Sequence, residues 1–319
     1  MFFLLVPIGI YLAIKWLFFS CKTKSIDNRH VVIVGGSSGI GKATAVLAAK
    51  QGAHVTIIAQ DLRKLNLAKV ELTNACVNEK QEITAVSLDV TNYDSTREVF
   101  NEIDARKPIY MLINCAGKAI CGELEKMKVE DIKSIVDLNL LGTIYATQCA
   151  IPMLKSRREG IIVIVASQAS LIGIYGLSVY SASKYALKGF AEAIDMELQN
   201  YNVNVTLAVP PDTDTPGFQN ENKSKPEETM LISSTGGLFN PDVIAKHLLK
   251  DALSNKFFSY VGFASFTMTT LNVGMTRSSL LPALVQAMLL GPLRLIGLLY
   301  MNSFQRIIRR CHQMKLKKN

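Results

Sequence analysis

Tyr180 and Lys184 stand four residues apart in the run VYSASKYA. On a helix that spacing puts both side chains on one face, where a phenol and an ammonium can meet one ligand. A free tyrosine, with a pKa of about 10, is a poor proton donor at neutral pH, and a cation held beside it lowers that value. The pair then suits general acid catalysis. Alone, Tyr and Lys at this spacing read better as a solvated amphipathic helix. Ser167 lies thirteen residues earlier, closing the apolar run IIVIVAS, where its hydroxyl could hold a carbonyl against the phenol. Asn139, in LNLLGT, either anchors a water in a proton relay or is a buried amide that distorts its helix.

A second group of residues suits a nucleotide. The run VIVGGSSGIGK places Gly35, Ser37, Ser38, Gly39, Ile40 and Gly41 where a strand would turn into a helix. Glycines there permit a tight turn and close backbone approach, and the helix N-terminus attracts pyrophosphate. Asp89 and Val90, in SLDV, could meet adenine, although Asp89 could equally cap a turn. Asn114, Ala116 and Gly117, in NCAG, offer another small-residue approach or an ordinary strand-end turn.

The elements that must position these residues follow a regular order. Short β-branched runs at 31–34, 55–58, 83–88, 111–114, 160–165 and 204–208 alternate with helical patterns at 42–51, 62–76, 95–105, 129–154 and 178–199. A last strand is expected near 260–263. The alternation predicts an α/β fold, a Rossmann-like doubly wound parallel sheet forming a single domain over 28–262. Residues 210–240, rich in Pro, Thr, Asp, Asn and Ser, read as an irregular substrate lid.

The chain has 319 residues with 49% hydrophobic and 19% charged, enough apolar material to exclude long-range disorder. The +9 net charge owes much to the basic tail, 304–319, and no basic stripe with interleaved aromatics marks the rest. Nucleic acid is therefore not an expected partner. Six cysteines without a CxxC pair make a disulfide framework or a metal site unexpected. The mean hydropathy of +0.22 directs attention to the ends. Within residues 1–20, positions 1–19 are apolar except for Lys15, and the segment approaches the length of a spanning helix. They read as an uncleaved membrane anchor or, alternatively, a cleaved signal. Lys22, Lys24 and Arg29 follow, which places the bulk of the chain on the cytosolic side. Residues 266–303 form an apolar membrane-associated segment that is packed, interfacial or spanning, and Pro282, Gly291 and Pro292 are expected to break any continuous helix there.

The glycine motif, NCAG, Asn139, Ser167 and YSASK together resemble the short-chain dehydrogenase/reductase family. GGSSGIGK, SQAS, VYSASKYA and PPDTDTPGF are similar to the branch that reduces sphingoid ketones. That resemblance implies NADPH-dependent reduction of 3-ketosphinganine, a long-chain lipid ketone, at the cytosolic face of the endoplasmic reticulum membrane. It implies Tyr180 as proton donor, Lys184 as its modulator, Ser167 as carbonyl clamp and Asn139 as relay anchor. It also brings Pro210, Thr213 and Thr215 to the nicotinamide. Three positions depart from the pattern: Val34 replaces a Thr, Pro211 replaces a Gly, and Gln60 replaces an Arg. The acid that holds ribose hydroxyls in NAD enzymes would fall at Ala59, so NADPH is expected, with Ser37, Gln60, Arg63 and Lys64 around its phosphate. Asp61 is the rival carboxylate. In the lid, Asp212 and Asp214 either pair with the substrate's ammonium or cap a short helix. A reductase for another lipid carbonyl, a steroid or retinoid, would use the same residues. A silent dinucleotide-binding scaffold would be expected to lack Tyr180, Lys184 or Ser167, and all are present.

Overall fold

The computed structural model describes residues 23–318, so the expected anchor at 1–20 lies outside the described residues. Seven parallel strands form one sheet in the order β3-β2-β1-β4-β5-β6-β7. They are β1 (His30–Val34), β2 (His54–Ala59), β3 (Ile83–Ser87), β4 (Ile109–Asn114), β5 (Gly160–Val165), β6 (Val203–Ala208) and β7 (Phe258–Ser259). Every residue of β1, β4 and β5 is buried, which explains why these strands read as unbroken apolar runs: helices cover both faces. On one face α1 (Gly39–Lys50), α2 (Leu62–Asn74) and α9 (Pro241–Leu253) pack over Val31, Ile33, Ile57 and Ile113. On the other, α3 (Tyr93–Arg106), α5 (Gly142–Arg157) and α6 (Ser178–Leu198) cover Val32, Val34, Leu112 and Ile164. Chain order reverses between β1 and β4, where Val34 is level with Ile58 and Asn114. A doubly wound sheet opens its ligand crevice at that point.

Four expectations need correction. The helix expected over 129–154 is α4 (Val129–Val136), a π turn (Asp137–Leu141) and α5. The widened turn follows LNLLG, and its carbonyls bond one residue further along. The lid at 210–240 is not irregular throughout: it holds α7 (Pro216–Asn222), capped by the Thr215 hydroxyl, and α8 (Glu227–Ser233). Pro at the first helical position suits both its fixed φ and its missing N–H. The last strand is only Phe258–Ser259, because Gly262, at φ +81°, turns the apolar run FASFTMTTL into α10 (Gly262–Leu271). Finally, Leu280–Lys318 is one continuous helix, α11, running through Pro292 and into the basic tail. Pro282 falls in its first turn, where no amide donor is needed. Pro292 costs one interior hydrogen bond, and packing of the stripe from Leu293 (4% exposed) to Cys311 (0%) against α8 and α10 offsets it.

Candidate active site

Tyr180 and Lys184 project from the first turns of α6 towards the C-terminal end of β5. The Lys184 ammonium, buried, donates to the Val165 carbonyl at 3.0 Å and sits 5.8 Å from the centre of the Tyr180 ring. Burial lowers the Lys184 pKa to about 8, with the neighbouring Cys115 thiol opposing the change. Ser167 lies two residues beyond β5, capping the short turn that follows; its hydroxyl accepts from the Ala169 amide at 3.1 Å and hydrogen-bonds Tyr180. Tyr180 does not show the lowering expected from spacing alone. Desolvation of its hydroxyl and the Glu221 and Asp212 carboxylates push the phenol upward, and only the Ser167 bond works against them. The phenol is therefore fully protonated at neutral pH, which suits an acid.

Asn139, in the π turn and fully buried, uses its whole amide on protein. Oδ1 accepts from the Lys118 amide at 2.8 Å, while Nδ2 donates to the Lys118 carbonyl at 2.9 Å and to Ser183 Oγ at 3.1 Å. The side chain thus pins the loop after β4 to α6. A β-carbon at Gly117 would lie 3.2 Å from Asn139 Oδ1 and 3.3 Å from Lys184 Nζ, so a side chain here would crowd both groups.

The nucleotide-suited residues gather at the switch point. Gly35 takes φ +81°, and a β-carbon there would lie 2.6 Å from the Ala116 nitrogen; one at Gly41 would lie 2.2 Å from the Gly35 carbonyl. Ser38 precedes α1 without capping it, leaving the first amides of a twelve-residue helix for an anion. Ser37, Gly39, Ile40, Val90 and Gly117 line the same cleft of about 400 Å³. Asn114 donates to Thr147 Oγ1 at 2.9 Å and keeps a buried Oδ1 without a partner. Asp89 accepts from the Thr91 amide and hydroxyl, the turn-capping role, and also from Gln60. Asp61 is spent as the N-cap of α2, accepting from the Lys64 amide at 3.0 Å. Lys64 lines the cleft; Arg63 is exposed and does not. Glycines that exclude a side chain, an uncapped helix and an unpaired buried amide oxygen fit a dinucleotide.

That cleft shares Gly117, Val165 and Thr215 with the cavity of about 210 Å³ holding Ser167, Tyr180 and Lys184. Pro210 accepts from the Gln168 amide at 3.1 Å, and the buried Thr213 hydroxyl donates to the Pro211 carbonyl at 2.8 Å. Thr215 lies over Gly39, where a β-carbon would come within 2.9 Å of its methyl. The two lid aspartates part company. Asp212 lines the catalytic cavity and accepts from Ser233 Oγ. Asp214 is exposed, bonds Gln219 at 3.3 Å and lines a separate groove beside α1 rather than the catalytic cavity. Sequence reasoning missed Glu221 and Cys115, both on this cavity. Only the lid position of Glu221, seven residues after Asp214, hinted at it.

An oxidoreductase of the doubly wound class is what this fold and site define. The short chain dehydrogenase family profile matches residues 29–226, and the chain belongs to that family. It is 43% identical over 295 residues to the 3-dehydrosphinganine reductase of Danio rerio, covering 92% of this chain and 89% of that one. With the 3-ketodihydrosphingosine reductase of Bos taurus it shares 41% over 301 residues, 93% of this chain and 91% of the relative. Among solved structures, levodione reductase superposes with a TM-score of 0.67 at 21% identity, covering 74% of this chain and 96% of the other, a likeness of fold.

Proposed function

We propose that this chain reduces 3-ketosphinganine to sphinganine with NADPH, at the cytosolic face of the endoplasmic reticulum membrane. The observation that carries the reading is the 43% identity to a 3-dehydrosphinganine reductase along 92% of the chain, together with an intact Ser167–Tyr180–Lys184 group. NADPH would be held by Gly35 to Gly41, Asn114, Ala116 and Gly117, with Ser37 and Lys64 nearest a ribose phosphate. When bound, its nicotinamide supplies the hydride. Ser167 orients the ketone oxygen towards Tyr180, and the Tyr180 hydroxyl gives its proton to that oxygen. Lys184 supplies the positive charge that steadies the phenolate left behind. Asn139 acts at one remove, fixing the loop that carries Gly117 and Lys118. The preference for NADPH rests on the absence of a free carboxylate at the end of β2: Ala59 has none, and Asp61 is engaged by Lys64. Among the described residues one helix, within Leu280–Lys317, is apolar and long enough to cross a membrane, with mean hydropathy 1.6 and 6% of that stretch buried. It would hold the domain at the lipid surface where such a substrate resides.

Membranes bearing the chain are assayed with 3-ketosphinganine and a ketosteroid, each with NADPH and NADH. Turnover of 3-ketosphinganine with higher kcat/KM for NADPH is expected. Ready reduction of the ketosteroid without reduction of 3-ketosphinganine would overturn the substrate, and equal use of NADH would overturn the cofactor.

A further inference from the structure

Helix α11 is apolar and long enough to cross a membrane, yet both of its ends are tied to one domain. Arg277, just ahead of it, pairs with Asp195 of α6 through two nitrogens, at 3.0 and 3.2 Å. Lys315, near its other end, pairs with the buried Glu228 of α8 at 2.7 Å. Between them one side of the helix rests on the domain: Leu289, Leu293, Ile296, Phe304, Ile307 and Cys311 recur at helical spacing and are buried or half-buried. On that side a β-carbon at Gly297 would lie 3.1 Å from Leu271 Cδ1 of α10. A helix that crossed a bilayer would hold its two ends on opposite sides of a hydrocarbon core of about 30 Å. The opposite side of α11 is open. Leu284, Met288, Leu295 and Leu299 share it, each more than half exposed, and Arg306 and Arg310 continue the same line. No acidic residue occurs anywhere in 280–319. An apolar face followed by cations suits acyl chains and anionic headgroups.

The same helix walls a cavity of about 450 Å³, together with the lid and α10. Its lining is mainly apolar, and it adjoins the catalytic cavity, since Asp212 and Glu221 line both. Phe263 of α10 and Tyr300 of α11 also line it, and they are 64% and 46% exposed. The apolar wall therefore continues onto the outer surface between those helices. Exposed Arg294 stands on the same wall, and an aromatic ring beside a cation suits a lipid interface. We propose that α11 lies in the plane of the leaflet, its inner side on the domain and its outer side in lipid. The cavity then opens on the bilayer beside it, and the substrate's alkyl chain enters sideways without crossing water. This entry route rests on the long-chain ketone reading above; the in-plane helix does not.

The chain has one tryptophan, Trp16, so Trp16→Phe clears the background for a depth scan. In that full-length protein Leu284, Met288, Leu295 and Leu299 are replaced singly by Trp, in phosphatidylcholine–phosphatidylserine vesicles carrying lipids brominated at chosen acyl depths. All four should be quenched alike, and most by bromine near the headgroups. Quenching that is deepest at Met288 and Leu295 and shallow at the outer two would mean a spanning helix and overturn the proposal. No quenching at any of them would mean a face covered by a second copy or by water, and would overturn it too. For the entry route, Leu295→Glu and Leu299→Glu are assayed on 3-ketosphinganine held in vesicles and on a water-soluble short-chain analogue of the same ketone. KM for the first should rise about tenfold, the scale of one leucine withdrawn from lipid, with kcat and the soluble analogue unaffected. An unchanged KM, or equal losses on both, overturns sideways entry. Wild type inactive on 3-ketosphinganine overturns the substrate reading and the entry route with it, while the depth scan still decides how the helix lies.

Discussion

Burial holds the Lys184 ammonium at about 8, against an ordinary lysine value of 10.5. Between those values the unfolded chain binds the proton that the folded chain has released. Stability therefore carries a penalty of about 3 kcal/mol at neutral pH, recovered as pH rises from about 8 towards 10.5. Lys184→Met should abolish turnover while raising the thermal midpoint, because the loss of one hydrogen bond to Val165, about 1 kcal/mol, is smaller than the penalty removed. Thermal unfolding at pH 7 and pH 9 checks this: a lower midpoint in the variant at pH 7 would contradict it. Gly41→Ala should weaken nucleotide binding and destabilise the domain by about 1–3 kcal/mol, since its β-carbon would meet the Gly35 carbonyl at 2.2 Å. Nucleotide titration with thermal unfolding reads both. Tyr180, Lys184 and Ser167 were legible because helix spacing and a strand end fix their neighbourhood from local sequence alone. The direction of the Tyr180 shift was not, because it depends first on burial of the phenol and then on Glu221 and Asp212, which reach it only through the fold of the lid.

At the scale of elements, the alternating pattern gave the strands and most helices to within a few residues, since buried parallel strands need unbroken apolar runs. The π turn at Asp137–Leu141 escaped a periodicity argument because one added residue within a long apolar helix leaves the pattern almost unaltered. The continuity of α11 escaped for a different reason: a rule about proline weighs one hydrogen bond and ignores the packing on either side. That helix also reaches the lid. Lys315 pairs at 2.7 Å with Glu228 of α8, a carboxylate 2% exposed that keeps one oxygen without a partner. Lys315→Met should leave that carboxylate unpaired at a local cost of about 1–3 kcal/mol and loosen α8. Faster amide exchange over 227–233 and a higher KM for long-chain ketone are expected; unchanged exchange there would show that α11 does not brace the lid.

For the whole molecule, the domain, its lid, α10 and α11 together line a mainly apolar cavity of about 450 Å³, with Leu171, Ile232, Met268, Leu271 and Phe304 on its walls, so chain length should be felt in catalysis. Each methylene removed from a ketosphinganine series should lower kcat/KM about fourfold while the chain still occupies the cavity, the equivalent of about 0.8 kcal/mol. A flat series would place the alkyl chain outside the protein. Underlying all of these is one step, transfer of a proton from Tyr180 to the ketone of a sphingoid substrate. The most direct test compares wild type with Tyr180→Phe in membranes, on 3-ketosphinganine with NADPH, beside a nucleotide-binding titration. Wild type should turn over, and the variant should bind NADPH almost as well while losing turnover by about two to four orders of magnitude, the range general acid catalysis supplies. A variant that reduces 3-ketosphinganine at the wild-type rate would contradict the account.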